Sequence, residues 1–232
     1  MSGLHALRRV LLPVALLSTA GAAGAGPGGA LAPGAGGLGT DPFIHAAAAF
    51  EARDYPAALA GFEQVARAGD AEAQYLLALM HWAGKGVPRN FRQALYWARH
   101  AQVSGYPEAE ALVRRLMPVV PPDVQAELGL ALAADIGGRA RAGERAAIMP
   151  YGRVLAEVLV EPDLEAAYVW FSIAHALDLP GSATALARIG AQLAPDTLLA
   201  AQDQAVQIYA AAPFRNPAEP LAPAGDGFMT DD

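Results

Sequence analysis

The chain has 232 residues, 54% of them hydrophobic, and a formal net charge of −7. That is long enough to bury a sizeable core, and the apolar residues are mostly alanine and leucine, which favour close-packed helices over strands. An acidic chain whose one lysine is Lys85 has no phosphate-binding surface, so nucleic acid is excluded as a partner. With no cysteine it has no disulfides, thiolate chemistry or Cys-based zinc sites.

Residues 1–22 read as a secretory signal peptide. His5, Arg8 and Arg9 form a basic start, Val10 to Leu17 an apolar run, and Ala20, Gly21 and Ala22 a small-residue cleavage region. The apolar run is about half of what a bilayer-spanning helix needs, so no stable membrane span is expected. Residues 23–40 are Gly, Ala and Pro with almost nothing to pack, the composition of a disordered linker.

Order is expected to begin at Asp41 and to extend to residue 211. Asp41 and Pro42 make a cap followed by a first-turn proline, and helices are expected over Phe43 to Ala52 and Tyr55 to Ala68 around a turn at Asp54. The next stretch, Ala71 to Gly105, organises the chain. Ala71, Ala73, Gln74, Leu77, Ala78 and Met80 fall at three- and four-residue steps on one helical face. Gly84 and Gly86 break that helix, Asn90 caps the next, and Ala94, Trp97, Ala98 and Ala101 form its stripe before Gly105 ends it. A shift of 36 residues sets Asp54 on Asn90, Ala58 on Ala94 and Gly69 on Gly105. A shift of 73 sets Asn90 on Asp163, Ala94 on Ala167, Trp97 on Trp170, Ala101 on Ala174 and Pro122 on Pro195. Recurrence of this kind marks a stacked helical array.

Between the long-range copies, Gly137, Gly138 and Gly143 with Arg139, Arg141 and Arg145 predict a loop, and Pro150 is expected to open or kink the following helix. Residues 212–232, rich in Pro and Gly and ending in Asp231 and Asp232, read as a disordered acidic tail that includes Phe228 and Met229.

The 71–105 stretch resembles the Sel1-like repeat, a relative of the tetratricopeptide repeat with the motif A-x-A-Q-x-x-L-G-x-M-Y-x-x-G-x-G-V followed by D and A-x-x-W. Ala71, Ala73, Gln74, Leu77, Met80, Gly84, Gly86, Val87, Ala94 and Trp97 match. Ala78 stands where the family prefers Gly, His81 where it prefers Tyr, and Asn90 where it prefers Asp. The resemblance implies an all-α fold, an α-solenoid of stacked helix-turn-helix repeats, acting as a non-catalytic protein–protein interaction scaffold without a cofactor. With the N-terminal segment, the expectation is an exported, periplasmic or secreted adaptor of the bacterial cell envelope whose partners are envelope proteins. The alternative is an accessory factor or enzyme acting on peptidoglycan or exopolysaccharide.

Candidate chemistry is thin. Ser172, His175 and Asp178 are three apart on one helix, but their counterparts 73 residues earlier are Arg99, Gln102 and Gly105, as befits a variable helix surface. His81 and His100 lack a second histidine at helical spacing, so no metal site is expected. Trp97 and Trp170 hold packing positions. Tyr75, Trp82 and Tyr96 fall off the consensus stripe, and these three are the expected partner-binding residues.

Overall fold

The computed structural model describes residues 42–211 and Phe214. The expected signal peptide, the linker and nearly all of the tail lie outside the described residues. Ten helices and no β-strand occur among the described residues. They are α1 (Pro42–Glu51), α2 (Tyr55–Arg67), α3 (Ala71–Ala83), α4 (Phe91–Val103), α5 (Ala109–Leu116), α6 (Pro122–Arg141), α7 (Arg145–Glu157), α8 (Leu164–Ala176), α9 (Ser182–Gly190) and α10 (Pro195–Ala211). The fold is all-α and built from helix-turn-helix pairs, the α-solenoid class the sequence predicts.

Local chemistry sets the helix starts. The carboxylates of Asp54, Asp70 and Asp163 accept from the backbone N–H groups of Ala57, Ala73 and Ala166, and the Asn90 amide oxygen accepts from that of Gln93. Each satisfies one donor that a helix start leaves without an intrahelical partner. The turn after α3 uses Gly84 and Gly86 at φ 69° and 77°. Gly86 also needs its bare Cα because Tyr55 of α2 packs directly against it.

The helices form two compact units, residues 42–102 with 106–120 and residues 103–105 with 121 onward. In the first, α2 packs on α1 and on α3. Ala58, Phe62 and Ala66 of α2 and Ala73, Leu77 and Met80 of α3 are wholly buried there. In the second, α7 packs on α6 and α8, and α8 also meets α9 and α10. Phe171 and Ile173 of α8, with Ile148 and Val154 of α7, are at the centre of that core.

The 73-residue step is realised element by element. Phe91, Ala109 and Pro122 open α4, α5 and α6, and Leu164, Ser182 and Pro195 open α8, α9 and α10. Ala94, Ala101, Ala167 and Ala174 are all fully buried, and Trp97 and Trp170 are 7% and 5% exposed.

The expected loop over Gly137, Gly138 and Gly143 is corrected in part. α6 runs straight through Gly137 and Gly138 to Arg141, and only residues 142–144 turn. A Cβ on Gly137 would sit 2.6 Å from the Tyr151 ring of α7, so this glycine serves close helix packing and its cost in helix propensity is outweighed. Pro150 lies inside α7 without opening it.

Candidate functional site

The α3–α4 hairpin carries the three aromatic residues singled out in the sequence. α3 is buried from Ala73 through Met80 without a gap, so it is covered all round and does not present one apolar stripe. Tyr75 is therefore 7% exposed, its ring 4.9 Å from that of Tyr106. It is a packing residue. Trp82, at the last turn of α3, and Tyr96, midway along α4, are each partly exposed. Tyr96 meets Trp97 edge-on at 5.2 Å and His100 at 5.1 Å. That cluster holds the phenol in one orientation and leaves part of it to solvent.

Gln74, a stripe position and a match to the repeat motif in the sequence, is fully buried, and its Nε2 donates to the Ala66 carbonyl at the end of α2 at 3.0 Å. A buried amide that ties one helix to the previous one fixes their register, because an unmet donor there is costly. The polar letter in an apolar stretch was the signal for it. His81 is half-buried, with Nδ1 shielded and lacking a hydrogen-bond partner. Burial pushes its pKa below the ordinary histidine value, partly offset by the nearby Glu63 carboxylate, so the ring is neutral at pH 7.

The Asp178 backbone N–H donates to the His175 carbonyl at 3.0 Å, but no side-chain hydrogen bond joins Ser172, His175 and Asp178; His175 and Asp178 are exposed, and Ser172 lines a groove between α8 and α10. Among the described residues no group of three or more His, Asp or Glu is arranged to hold a metal. No helix among them is long and apolar enough to cross a membrane.

The groove between α8 and α10 has a volume of about 370 Å³ and is lined mainly by apolar side chains. Val206 and Tyr209 on its α10 wall are 69% and 43% exposed. Sequence reading did not find it, because it arises from what does not cover α10 and not from any motif.

The family model described as Sel1 repeat matches residues 71–101 and 157–178. Among solved structures, the chain is similar to a protective antigen present in uropathogenic Escherichia coli strains displaying an SLR fold. The identity is 21% and the TM-score 0.32, over 74% of this chain and 46% of that one. No curated protein matches the chain. Repeats of the matched kind point to protein partners and to a protein–protein interaction scaffold.

Proposed function

Since the chain is a Sel1-like repeat protein, we propose that it is a non-catalytic scaffold exported to the bacterial cell envelope, where it binds envelope proteins through the α3–α4 hairpin. The observation that carries this reading is the division of aromatic residues within that hairpin. Tyr75 and Trp97 are buried and make the frame rigid, while Trp82 and Tyr96 are partly exposed on it. Rigid aromatics on a fixed frame supply contact area at little entropic cost, which is why they dominate binding hot spots. The indole N–H and the phenol orient a partner's hydrogen-bonding groups. A net charge of −7 adds no attraction for anionic partners. Export rests on the basic start, apolar run and small-residue end of residues 1–22.

The test is a crosslinking pull-down of the tagged protein from the periplasmic fraction, beside a Trp82→Ala/Tyr96→Ala variant. The buried Tyr75 is left intact so that the variant still folds. A specific protein recovered with wild type and lost with the variant supports the reading. Background alone with both baits, from abundant periplasmic protein, ends the adaptor claim. Absence of the chain from that fraction, or a mature N-terminus that still begins at Met1, ends the export claim.

A further inference from the structure

The repeat that turns α4, α5 and α6 into α8, α9 and α10 also says what belongs beside α10. In the first copy the following element is α7, which packs on α6. Two α6 glycines lie beneath it: a Cβ on Gly129 would stand 3.3 Å from the Val158 carbonyl oxygen just past the end of α7, and one on Gly137 would stand 2.6 Å from the Tyr151 ring. Leu132 and Ile136 of the same face are 0% and 2% exposed. Arg153 of α7 donates to the carbonyl of Val103, a residue of the same unit, at 2.8 Å.

Seventy-three residues on, Val103, Gly129, Leu132, Ile136 and Gly137 become Ala176, Gln202, Ala205, Tyr209 and Ala210. All five line the α8–α10 groove. Where Ile136 is 2% exposed, Tyr209 is 43% exposed. The seat that α7 fills in the first copy is open in the second among the described residues.

The sequence continues 18 residues past Phe214, whose ring stacks on Tyr209 at 5.3 Å. Carrying the same step past α10 sets Ile148, Pro150, Tyr151, Gly152 and Leu155 of α7 against Leu221, Pro223, Ala224, Gly225 and Phe228. Proline meets proline and glycine meets glycine. Ile148 and Leu155, 0% and 5% exposed in α7, meet Leu221 and Phe228. Other positions change more freely, Met149 to Ala222, Arg153 to Asp226 and Val154 to Gly227, but one large change is matched across the contact: as Gly137 becomes Ala210 and gains a Cβ, Tyr151 becomes Ala224 and loses the ring that the Cβ would strike. Aromatic volume returns nearby as Tyr209 and Phe214.

We infer that residues 221–228 dock in the α8–α10 groove, taking the seat that α7 occupies on α6. Pro223, the segment's one proline, does not oppose docking, since α7 itself contains Pro150. Only six residues separate Phe214 from Leu221, so the loop to be closed is short and its entropic cost small.

The chain has no cysteine, so pairs can be introduced cleanly into the full chain. Ala210→Cys with Ala224→Cys is to be bridged by a short bis-maleimide reagent and compared with Gly138→Cys/Ala224→Cys. Gly138 is exposed on α6, with nothing within 4 Å of its Cβ position. Docking predicts an intramolecular bridge forming about tenfold or more faster in the first pair, through the higher effective concentration of the two thiols. Equal rates overturn the inference. Bridges only between chains overturn it too, and assign the groove to a second copy. As a second measurement, removing residues 216–232 is expected to speed amide exchange in the C-terminal half of α10 several-fold; unchanged exchange in a folded truncation overturns docking independently.

Discussion

The hairpins α3–α4 and α7–α8 are built alike and spelled differently. All four helices have 13 residues, while the connection shortens from residues 84–90 to residues 158–163. The first turns through glycines at positive φ and is capped by Asn90; the second has no positive-φ residue and is capped by Asp163. Allowing for the shorter connection, Gln74 corresponds to Ile148, each fully buried, and Tyr75 to Met149, at 7% and 8% exposed. His100 corresponds to Ile173, at 3% and 1%. The positions that are buried and the positions that cap are kept while their letters change. The family model reads letters, so it follows the first hairpin nearly throughout and enters the second only at Glu157.

The comparison is broken most forcefully at the two tryptophans. Truncating a buried Trp to Ala costs about 3–5 kcal/mol, so Trp97→Ala and Trp170→Ala are each expected to lower the denaturation midpoint sharply. The Trp170 variant also removes the 5.1 Å edge contact with Tyr151. If either substitution costs under about 1 kcal/mol, its helix is not the packed element that burial implies.

Next in size is a change of sign. Gly137→Ala forces a Cβ into the Tyr151 ring and is expected to destabilise by about 1–3 kcal/mol, as overpacking does. In a Tyr151→Ala background the clash is gone, and alanine's better helix propensity is expected to make the same substitution stabilising by about 0.5–1 kcal/mol. Urea unfolding of the four-variant cycle measures the coupling. Additive effects would mean that the alanine pair proposed for the second copy is coincidence.

What was legible in the sequence was local. Caps such as Asp54, Asn90 and Asp163 act within one turn, and the glycines of the 84–86 turn show in the spelling, so these helix boundaries and the 73-residue step were readable. What was not legible depended on neighbours. Tyr75 lies off the consensus stripe, yet α3 is covered on every side, and no pattern within one helix reveals a second covering layer. Gly137 carries the same letter as a loop glycine and is held in a helix by a ring 14 residues away. Of the expected binding residues, Tyr75 went into packing and Trp82 and Tyr96 remain partly exposed. The α8–α10 groove had no letters of its own.

The caps give a smaller and more even test. Asn90→Ala and Asp163→Ala are each expected to cost about 1 kcal/mol. Asn90→Asp, which copies the second hairpin's choice, is expected to gain about 0.3–1 kcal/mol by placing a carboxylate at a helix N-terminus. Thermal midpoints at low and high salt check it, since the gain from charge fades with screening. A gain unaffected by salt would point to geometry.

The smallest effect separates the hairpins by pH. His81 of α3 corresponds to Leu155 of α7, so only the first carries a titrating group there. Desolvation depresses the folded-state pKa of His81, with Glu63 opposing it. The unfolded chain therefore takes up a proton near pH 6.5 that the native state resists until lower pH. Since the unfolded state binds more protons in that window, stability falls as pH drops below about 6.5 and levels off once pH is below the folded-state value. His81→Leu, which copies the second hairpin, is expected to flatten this part of the midpoint-versus-pH curve between pH 7 and 5, leaving the slope due to carboxylates that both proteins share. Because the ring is only half-buried, the difference should be smaller than that of a cap. Parallel curves for the two proteins would show that solvent reaches the imidazole well enough to cancel the cost of charging it.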